Sequence, residues 1–186
     1  MIYLFANDSA LDFYPKFGFM RVIEGKYEID VKEIGEIDLN NGSIIKLDVK
    51  NEEHKIIINK LALNRVPIAQ KLGVIKDVWP LKVYCNSDFK NDLYYIKEDN
   101  ILVILRRENN IIKLYDILSV DNFNLDNVIS KVLSEDDKEI QFNFIPESEK
   151  YKIDFQLVDN TEDALFVKMA KGTLEDGIVF PKTSHT

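Results

Sequence analysis

The sequence predicts an α+β protein with an antiparallel meander flanked by helices. Three observations support this class. The chain opens with an apolar strand followed by a helix start, at residues 2–19. Three strand-like segments separated by turn residues occupy 93–118, and an amphipathic segment at 124–134 follows them. With 186 residues and 46% hydrophobic content, the chain is long enough to bury a sizeable core.

The opening segment "IYLFANDSALDFYPKFGF" predicts a strand, a turn and a helix. Asn7 or Ser9 can cap the helix, and Gly18 is placed to end it. Helical spacing puts three apolar residues on one face, namely Ala10, Phe13 and Phe17. A proline in a helix interior costs about 3 kcal/mol. We therefore expect a kink or a shifted helix boundary at Pro15.

The next segment, "MRVIEGKYEIDV", alternates around Gly25 and predicts either two strands or one bent strand. The turn-rich stretch "KEIGEIDLNNGS" follows and predicts a linker, with a domain boundary near residues 36–42. We therefore expect one unit at residues 1–36 and a second unit at residues 43–186.

The second unit begins with a predicted strand in "IIKLDV" and a helix from about Glu52 to Ala69. An irregular segment is expected over residues 71–89. Within it, Cys85 is most simply a buried small hydrophobic residue. For Trp79 and Tyr84, core packing is favoured over a role in lining a pocket.

The meander consists of "LYYIKED", "ILVILRRE" and "IIKLYDIL", and the pairs "DN" and "NN" mark its two turns. The segment "NLDNVISKVLS" predicts a short helix with one apolar side, formed by Leu125, Val128, Ile129 and Val132. A further strand is expected in "EIQFNFIP". The last segments, "YKIDFQLV" and "ALFVKMA", predict another strand pair.

The charge balance excludes several classes of function. Because 24 basic residues face 32 acidic ones, the net charge of -8 disfavours nucleic acid and anionic membranes as partners. No apolar run approaches the ~20 residues that a membrane span requires, and the N-terminus lacks a basic leader, so a cytoplasmic location is expected. His54 and His185 are far apart and predict no metal site. No acid lies near His185 in the sequence, and the hydrolase triad is unsupported.

The opening segment carries a resemblance to a known family. "NDSALDFYPKFGF" resembles the last strand-helix unit of the GNAT acyl-CoA N-acyltransferase superfamily, whose pattern is Asn, a small residue, and then Phe-Tyr-x-Lys-x-Gly-Phe. The matching positions are Asn7, Ala10, Phe13, Tyr14, Lys16, Gly18 and Phe19. The resemblance is specific over residues 2–31 and loose beyond them.

The resemblance implies a GNAT-like mixed sheet, with residues 1–36 as the C-terminal remnant of one acyltransferase domain and residues 43–186 as a degenerate second domain. It also implies acyl transfer from acetyl-CoA to an amine. In this family the tyrosine of the motif often protonates the departing CoA thiolate, and this role falls on Tyr14. Asn7, Tyr14 and Lys16 are the implied cofactor-binding residues.

One part of the family pattern is missing. GNAT enzymes hold the CoA pyrophosphate in a turn of the form Gln/Arg-x-x-Gly-x-Gly/Ala, and no two of the seven glycines here are separated by a single residue. In the helix start after the meander, Asp121 would repel phosphate. We therefore expect the chain alone to be incomplete or inactive as an acetyltransferase.

Two functional hypotheses remain open from the sequence. The first is an N-acetyltransferase completed by a complementary GNAT half. The second is a non-catalytic ligand-binding or assembly module built on a degenerate GNAT fold. In either case the strand "IYLF" needs a partner, because it would otherwise expose apolar side chains and unpaired backbone groups. We expect it to pair with "RVIEGKYEIDV" and to pack on the second unit, or to do so across a homodimer interface.

Overall fold

The computed structural model describes residues 1–34 and 44–185. The strands within these residues are β1 (Ile2–Ala6), β2 (Met20–Val22), β3 (Glu24–Asp30), β4 (Ile44–Lys46), β5 (Leu93–Ile96), β6 (Ile101–Glu108), β7 (Ile111–Leu118), β8 (Glu139–Phe142), β9 (Asp154–Val158) and β10 (Ala164–Lys168). The α-helices are α1 (Glu52–Asn64), α2 (Val78–Asn86) and α3 (Leu125–Val132). Short 3-10 turns lie at Asp8–Ala10, Tyr14–Phe17, Val31–Ile34 and Lys182–Ser184.

The described strands form two sheets. The larger sheet has the order β4-β5-β6-β7-β8-β3-β9, and the smaller has the order β1-β10-β2. All neighbouring strands run antiparallel except β7 and β8, which are parallel and are connected through α3. The larger sheet is therefore mixed, and helices flank it, so the predicted α+β class is confirmed.

Strands β5, β6 and β7 form the antiparallel meander that the sequence predicts. Its turns contain asparagines with positive φ, at 54° for Asn100, 53° for Asn109 and 65° for Asn110. Asparagine tolerates this left-handed region better than most residues, and two consecutive positive φ angles are typical of the tight turns that close hairpins. The turn pairs "DN" and "NN" therefore set the positions of the two turns.

The central strand β6 is buried on both faces. Leu102 and Ile104 pack with α1 and α2 on one face, while Val103 and Leu105 pack on the other, where α3 lies. A strand covered on both sides needs no alternation of polar and apolar residues. This explains the unbroken apolar run "ILVIL" and accounts for the two main core clusters.

The smaller sheet also has two apolar faces. Leu165 and Val167 of β10 face the main core, whereas Ala164 and Phe166 face the turns that follow β1. Strand β10 pairs with β1 on one side and with β2 on the other. Within the chain, the expected direct pairing of "IYLF" with "RVIEGKYEIDV" is therefore wrong, because β10 lies between them, and pairing across a homodimer interface stays a prediction.

The opening helix predicted from the sequence is replaced by two 3-10 turns. The boundary shift expected at Pro15 is found, since the second turn begins at Tyr14 and accommodates the proline at its start. Gly18 ends this turn in the left-handed conformation, with a φ of 78°. The segment "MRVIEGKYEIDV" forms two strands, β2 and β3, rather than one bent strand.

Two helix predictions need correction. Helix α1 ends at Asn64, before the expected end at Ala69, because Arg65 is extended and the following Val66 precedes Pro67. The segment predicted to be irregular contains α2. Pro80 lies in the first turn of α2, where backbone N–H groups have no partner within the helix. A proline there, which lacks an N–H group, removes no helical hydrogen bond.

The last two strands were expected to pair with each other, and this expectation is wrong. Strand β9 pairs with β3 in the larger sheet, whereas β10 belongs to the smaller sheet. A glycine-containing loop, residues 172–177, follows β10, and its Gly177 N–H group donates a 2.7 Å hydrogen bond to the Ile23 carbonyl. The C-terminal part of the chain thus interleaves with β1, β2 and β3.

The division into units at residues 1–36 and 43–186 stays a prediction. Strands from both parts are hydrogen-bonded to each other in both sheets. The linker and boundary expected at residues 36–42 lie outside the described residues. Among residues 1–34 and 44–185, no helix has the length and apolar character needed to cross a bilayer.

A buried ion pair joins three parts of the chain. The Arg65 guanidinium, just after α1, donates to both carboxylate oxygens of Asp116 on β7, at 2.9 Å and 2.6 Å. The Thr183 hydroxyl of the C-terminal turn also donates to Asp116. Burial acts to lower the pKa of Arg65, but the charge of Asp116 and its hydrogen bonds outweigh burial and raise that pKa. Arg65 is therefore a buried, charged side chain that faces the Asp116 carboxylate.

Replacing Asp116 with Asn should destabilise the fold strongly, because it removes both ion-pair hydrogen bonds of the buried Arg65 and leaves the Asp77 carboxylate, 3.9 Å away, as its remaining counter-charge among the described residues. We expect Asp116→Asn to lower the free energy of unfolding by about 3–5 kcal/mol, measured by urea denaturation followed by circular dichroism. The control is Asp99→Asn, which removes a carboxylate paired with Lys131 near the surface and should cost less than about 1 kcal/mol. Equal losses in the two variants would contradict this expectation.

Candidate functional site

The three residues that the resemblance implies all lie on the connection between β1 and β2. Asn7 is exposed and stands at the cap position of the first turn. Its side chain makes no capping hydrogen bond, and its Oδ1 accepts a 2.7 Å hydrogen bond from the Ser9 hydroxyl. Lys16 is exposed as well. The structure shows no hydrogen bond that joins these residues to Tyr14 within the described part of the chain.

Tyr14 is the best-fixed of the three. Its ring packs on Phe166 of β10, with ring centroids 5.6 Å apart, and against Phe19, with centroids 5.9 Å apart. Phe166 is 1% exposed, so Tyr14 covers the outer face of the smaller sheet. The tyrosine hydroxyl has no hydrogen-bond partner among the described residues. Tyr14 thus has a fixed ring and a hydroxyl group that is free to contact another molecule.

The turn that carries Tyr14 is held from the opposite strand. The Lys168 ammonium group at the end of β10 donates a 2.8 Å hydrogen bond to the Phe17 carbonyl. The same ammonium lies 5.8 Å from the centre of the Phe19 ring. The turn is therefore fixed at its start by packing and at its end by a charged hydrogen bond.

The helix N-termini do not fit a pyrophosphate group. In α1, the Asn51 side chain already accepts from two backbone N–H groups, and Glu52 and Glu53 lie in the first turn. Asp77 precedes α2. In α3, the Asn124 side chain accepts from the Asn127 N–H group, and Asp126 lies in the first turn. Each described α-helix thus begins with a carboxylate, which repels phosphate where a CoA site would need free N–H donors.

A cleft that the sequence did not reveal lies where β3 meets the C-terminal segment. We call it the Glu24 cleft; it has a volume of about 350 Å³, and its charged and polar lining includes Glu24, Lys26, Asn143, Asp163, Lys182 and His185. These residues come from distant parts of the chain, and no local motif marks them. Gly25 forms part of the wall, where an added Cβ would lie 2.8 Å from the Gly177 carbonyl oxygen, so a larger residue would push the 172–177 loop away.

Glu24 has an unusual electrostatic environment. Its carboxylate has no hydrogen bond or ion pair with any residue in the described part of the chain. Burial is the main cause that raises the pKa of Glu24 from 4.5 to about 7, the charge of Asp163 raises it further, and Lys182 acts in the opposite direction. Glu24 is therefore a carboxyl group that gains and loses its proton near neutral pH.

His185 and Asp163 form a second cluster in the cleft. Asp163 Oδ2 lies 2.7 Å from the Lys182 ammonium and 3.1 Å from Nδ1 of His185. Burial and the charge of Lys182 lower the pKa of His185 to about 4. Burial acts to raise the pKa of Asp163, but Lys182 and His185 outweigh it, and the pKa of Asp163 is lowered. An acid does therefore lie beside His185, contrary to the expectation from the sequence.

This cluster is not a hydrolase triad. The Ser184 hydroxyl donates to Asp77 at 3.0 Å rather than to His185. The two ring nitrogens of His185 both have partners, since Nε2 lies 3.4 Å from the Phe180 carbonyl oxygen. The ring also stacks on Phe5 of β1, with centroids 3.6 Å apart. His185 therefore anchors the C-terminal segment to β1, and it is placed to hold the cleft wall rather than to accept a proton.

Two other sequence predictions are resolved by burial. Cys85 is 1% exposed, and burial raises the pKa of its thiol to about 12, so it is a core residue as predicted. Trp79 is 74% exposed and does not pack in the core. Tyr84 packs against Phe89, and its hydroxyl donates a 2.9 Å hydrogen bond to the His185 carbonyl.

His, Cys, Asp and Glu side chains that could hold a metal ion form no cluster within the described residues.

Comparison with known proteins places the fold. No protein-family model and no curated protein sequence matches the chain. A solved structure from Enterococcus faecalis V583, a conserved protein of unknown function described as a probable N-acyltransferase, matches with a TM-score of 0.50 at 16% identity. The match covers 88% of this chain and 43% of that one. This likeness shows the fold, and the resemblance to the GNAT superfamily is confirmed at that level.

Two further solved structures match with lower scores. A GCN5-related N-acetyltransferase from Kribbella flavida has a TM-score of 0.46 at 8% identity, with 88% of this chain and 42% of that chain covered. Eis1 from Mycobacterium abscessus has a TM-score of 0.45 at 14% identity, with 88% and 46% covered. The chain thus spans less than half the length of each of these structures.

The raised pKa of Glu24 predicts a pH-dependent stability. Between about pH 4.5 and 7 the unfolded chain binds fewer protons at this residue than the folded chain, so stability falls as pH rises through this range. Relative to Glu24→Gln, the wild type should lose up to about 1.4 kcal/mol per pH unit. Urea unfolding at several pH values between 4.5 and 7.5 measures the difference.

The control for this measurement is Glu162→Gln, which removes an exposed carboxylate near Asp163. Its free energy of unfolding should follow the wild type across the pH range. A constant difference between wild type and Glu24→Gln at every pH would show that the Glu24 environment has been assigned wrongly.

Proposed function

We propose that this chain supplies the Tyr14 unit of an N-acyltransferase that transfers an acetyl group from acetyl-CoA to an amine. The observation that carries the proposal is the position of Tyr14, whose ring is fixed on Phe166 within a GNAT-like fold while its hydroxyl remains free. Tyr14 is the proposed catalytic acid, and Asn7 and Lys16 are the proposed cofactor contacts beside it. A cytoplasmic location is part of the same proposal.

The chain alone lacks the means to bind acetyl-CoA tightly. The affinity of a CoA site comes largely from N–H groups around the pyrophosphate, and each described α-helix N-terminus here carries a carboxylate instead. What remains is one or two hydrogen bonds of about 1 kcal/mol each and the solvent-screened charge of Lys16. These contributions cannot offset the several kcal/mol lost when a flexible ligand is immobilised.

A complementary GNAT half is therefore part of the proposal. In the smaller sheet β1 is an edge strand, with β10 on one side and no strand on the other among the described residues. An edge strand offers a row of unpaired backbone groups to an added strand. A second polypeptide segment that extends the sheet along β1 would lie next to the turn that carries Tyr14, and it would contribute the pyrophosphate turn.

A second candidate function is an assembly module without catalysis. The rings of Phe13 and Phe17 lie 4.9 Å apart and are 52% and 55% exposed. Exposed aromatic side chains in contact are typical of protein interfaces. In this alternative the same surface joins two copies of the chain as a homodimer, and Tyr14 has a packing role only.

We expect the isolated chain to bind acetyl-CoA with a dissociation constant in the millimolar range or weaker. Calorimetric titration of the purified chain measures this directly. A dissociation constant in the low micromolar range would contradict the structural reasoning about the helix N-termini.

The acyltransferase proposal is tested by restoring the missing half. If the coding sequence next to that of this chain specifies strands that end in a Gln/Arg-x-x-Gly-x-Gly/Ala turn, that segment is co-expressed with the chain. Release of CoA thiol is then measured with acetyl-CoA and a panel of primary amines. General-acid catalysis contributes about 10²–10⁴-fold, so Tyr14→Phe should lower kcat by at least about 10²-fold.

The matched control is Tyr94→Phe, which removes the hydroxyl of a half-buried tyrosine on β5. It should leave kcat within about twofold of the wild-type value, since general-acid effects are local to the reacting group. An unrelated neighbouring sequence, or a Tyr14→Phe variant as active as the wild type, would favour the assembly module.

A further inference from the structure

The Glu24 cleft has the size and construction of a small-ligand site. Its volume of about 350 Å³ falls within the range of about 300–1,000 Å³ that is typical of ligand pockets. It is built from β3, β7, the end of β8 with the residue that follows it, β9, the residues between β9 and β10, and the C-terminal segment. The cleft does not include Asn7, Tyr14 or Lys16, so an inference about it does not depend on acyl transfer.

The charges in the cleft leave one carboxylate without a partner. Lys182 is paired with Asp163 at 2.7 Å. Lys26 is paired with Glu28, which lies outside the cleft. Glu24 has no ion pair with a described residue. Counted together with Glu28, the group has three carboxylates, Glu24, Glu28 and Asp163, but two ammonium groups, Lys26 and Lys182, so one negative charge is left unbalanced. A ligand with a positive charge would balance it.

The uncharged groups of the cleft favour a cation that donates hydrogen bonds. The Gln141 side-chain N–H groups already donate to Glu28 at 3.1 Å and to Glu139 at 2.7 Å. The Gln141 side-chain carbonyl oxygen accepts no hydrogen bond from a described residue. Asn143 adds a second side-chain amide. A primary ammonium group has three donors and no acceptor, which suits a cleft that offers a carboxylate and side-chain amide oxygens.

The walls suit an alkyl chain attached to that group. Val158 at the end of β9 is 38% exposed, and Val179 and Phe180 line the side that belongs to the C-terminal segment. Apolar walls around a few placed polar groups are the usual composition of small-molecule sites. An aliphatic chain of a few carbons would cover these walls while its ammonium group contacts the carboxylate.

We propose that the Glu24 cleft binds a primary alkylammonium ion, with the Glu24 carboxylate as its counter-ion. The electrostatic state of Glu24 agrees with this assignment: burial and the charge of Asp163 raise its pKa to about 7, and the opposing charge of Lys182 does not offset them, so a further positive charge is needed to favour the ionised form. A bound cation would supply that charge and would lower the pKa of Glu24.

Binding should therefore depend on pH. The charged and titratable groups that face Glu24 are Lys26 on its own strand, Tyr115 on β7, and Asp163, Lys182 and His185 near the C-terminus. The pKa of His185 is lowered to about 4 and that of Asp163 is also lowered, while burial raises the pKa of Tyr115. With a pKa of about 7 for Glu24, the affinity should be about tenfold higher at pH 8 than at pH 6.

The test is an NMR titration of the ¹⁵N-labelled chain with n-butylammonium chloride at constant ionic strength. We expect saturable shifts confined to the amides of Gly25, Lys26 and residues 178–185, with a dissociation constant in the millimolar range. The neutral probe n-butanol should give no saturable shift at these amides. If n-butylammonium gives none up to 100 mM, or if n-butanol shifts the same amides to the same extent, the proposal is overturned.

Two variants distinguish the effect of the Glu24 carboxylate on binding from the effect of the net charge of the protein. Glu24→Gln should weaken binding at pH 8 at least tenfold and abolish its pH dependence. Glu162→Gln removes the same charge at an exposed position and should change the affinity less than twofold. Equal affinities in wild type and Glu24→Gln overturn the proposal. If Glu24→Gln does not fold, the pH dependence of binding to the wild type is the test. A tenfold higher affinity at pH 8 than at pH 6 supports the proposal, and an affinity that does not change from pH 6 to 8 overturns it.

Discussion

The buried ion pair between Arg65 and Asp116 is the constraint on which the arrangement of both sheets depends. Both side chains are fully buried, and neither could remain in the core without the other. Asp116 also accepts from Thr183, which places the C-terminal turn against β7. The carboxylate that balances Arg65 thus also holds the turn at Lys182–Ser184, through the hydrogen bond from Thr183.

From that fixed turn, the C-terminal segment holds the N-terminal strand. The Tyr3 hydroxyl donates to the Ser184 carbonyl at 3.2 Å, and its ring stacks on Phe180 with centroids 4.2 Å apart. Phe5 stacks on His185. Strand β1, and through its following turn Tyr14, is therefore positioned by residues at the opposite end of the sequence. The same segment supplies one wall of the Glu24 cleft, so the two regions share a common support.

The sequence predicted the elements whose signals are local. The meander was predicted correctly because Asn100, Asn109 and Asn110 favour the left-handed angles that its turns require. The opening motif also has a local pattern: its strand and its stop at Gly18 are found, whereas its predicted helix is replaced by two 3-10 turns. Helix α2 was missed because Pro80 and the irregular segment before it obscure an otherwise helical stretch, although a proline in the first turn is compatible with a helix.

Long-range features could not be predicted in this way. The segment "ALFVKMA" contains no local signal that places β10 between β1 and β2, because strand order depends on which apolar faces meet in the folded chain. The Glu24 cleft is a similar case. Glu24 and Asp163 are far apart in the sequence, and the pKa of Glu24 is a property of its burial and its neighbours. The sequence does not show which of its acidic residues will lack an ion pair in the folded chain.

The net negative charge of the chain affects both the helix N-termini and the Glu24 cleft. Helix N-termini that begin with Glu52, Asp77 or Asp126 repel phosphate, and these acids contribute to the net charge of -8. The same excess of acid leaves Glu24 without an ion pair among the described residues of its cleft. An electrostatic field that disfavours an anionic cofactor along the helix ends therefore favours a cationic ligand beside β3. In the proposed acyltransferase, the complementary half would have to supply positive potential for the anionic cofactor, whereas the unpaired carboxylate of Glu24 would attract the proposed cationic ligand.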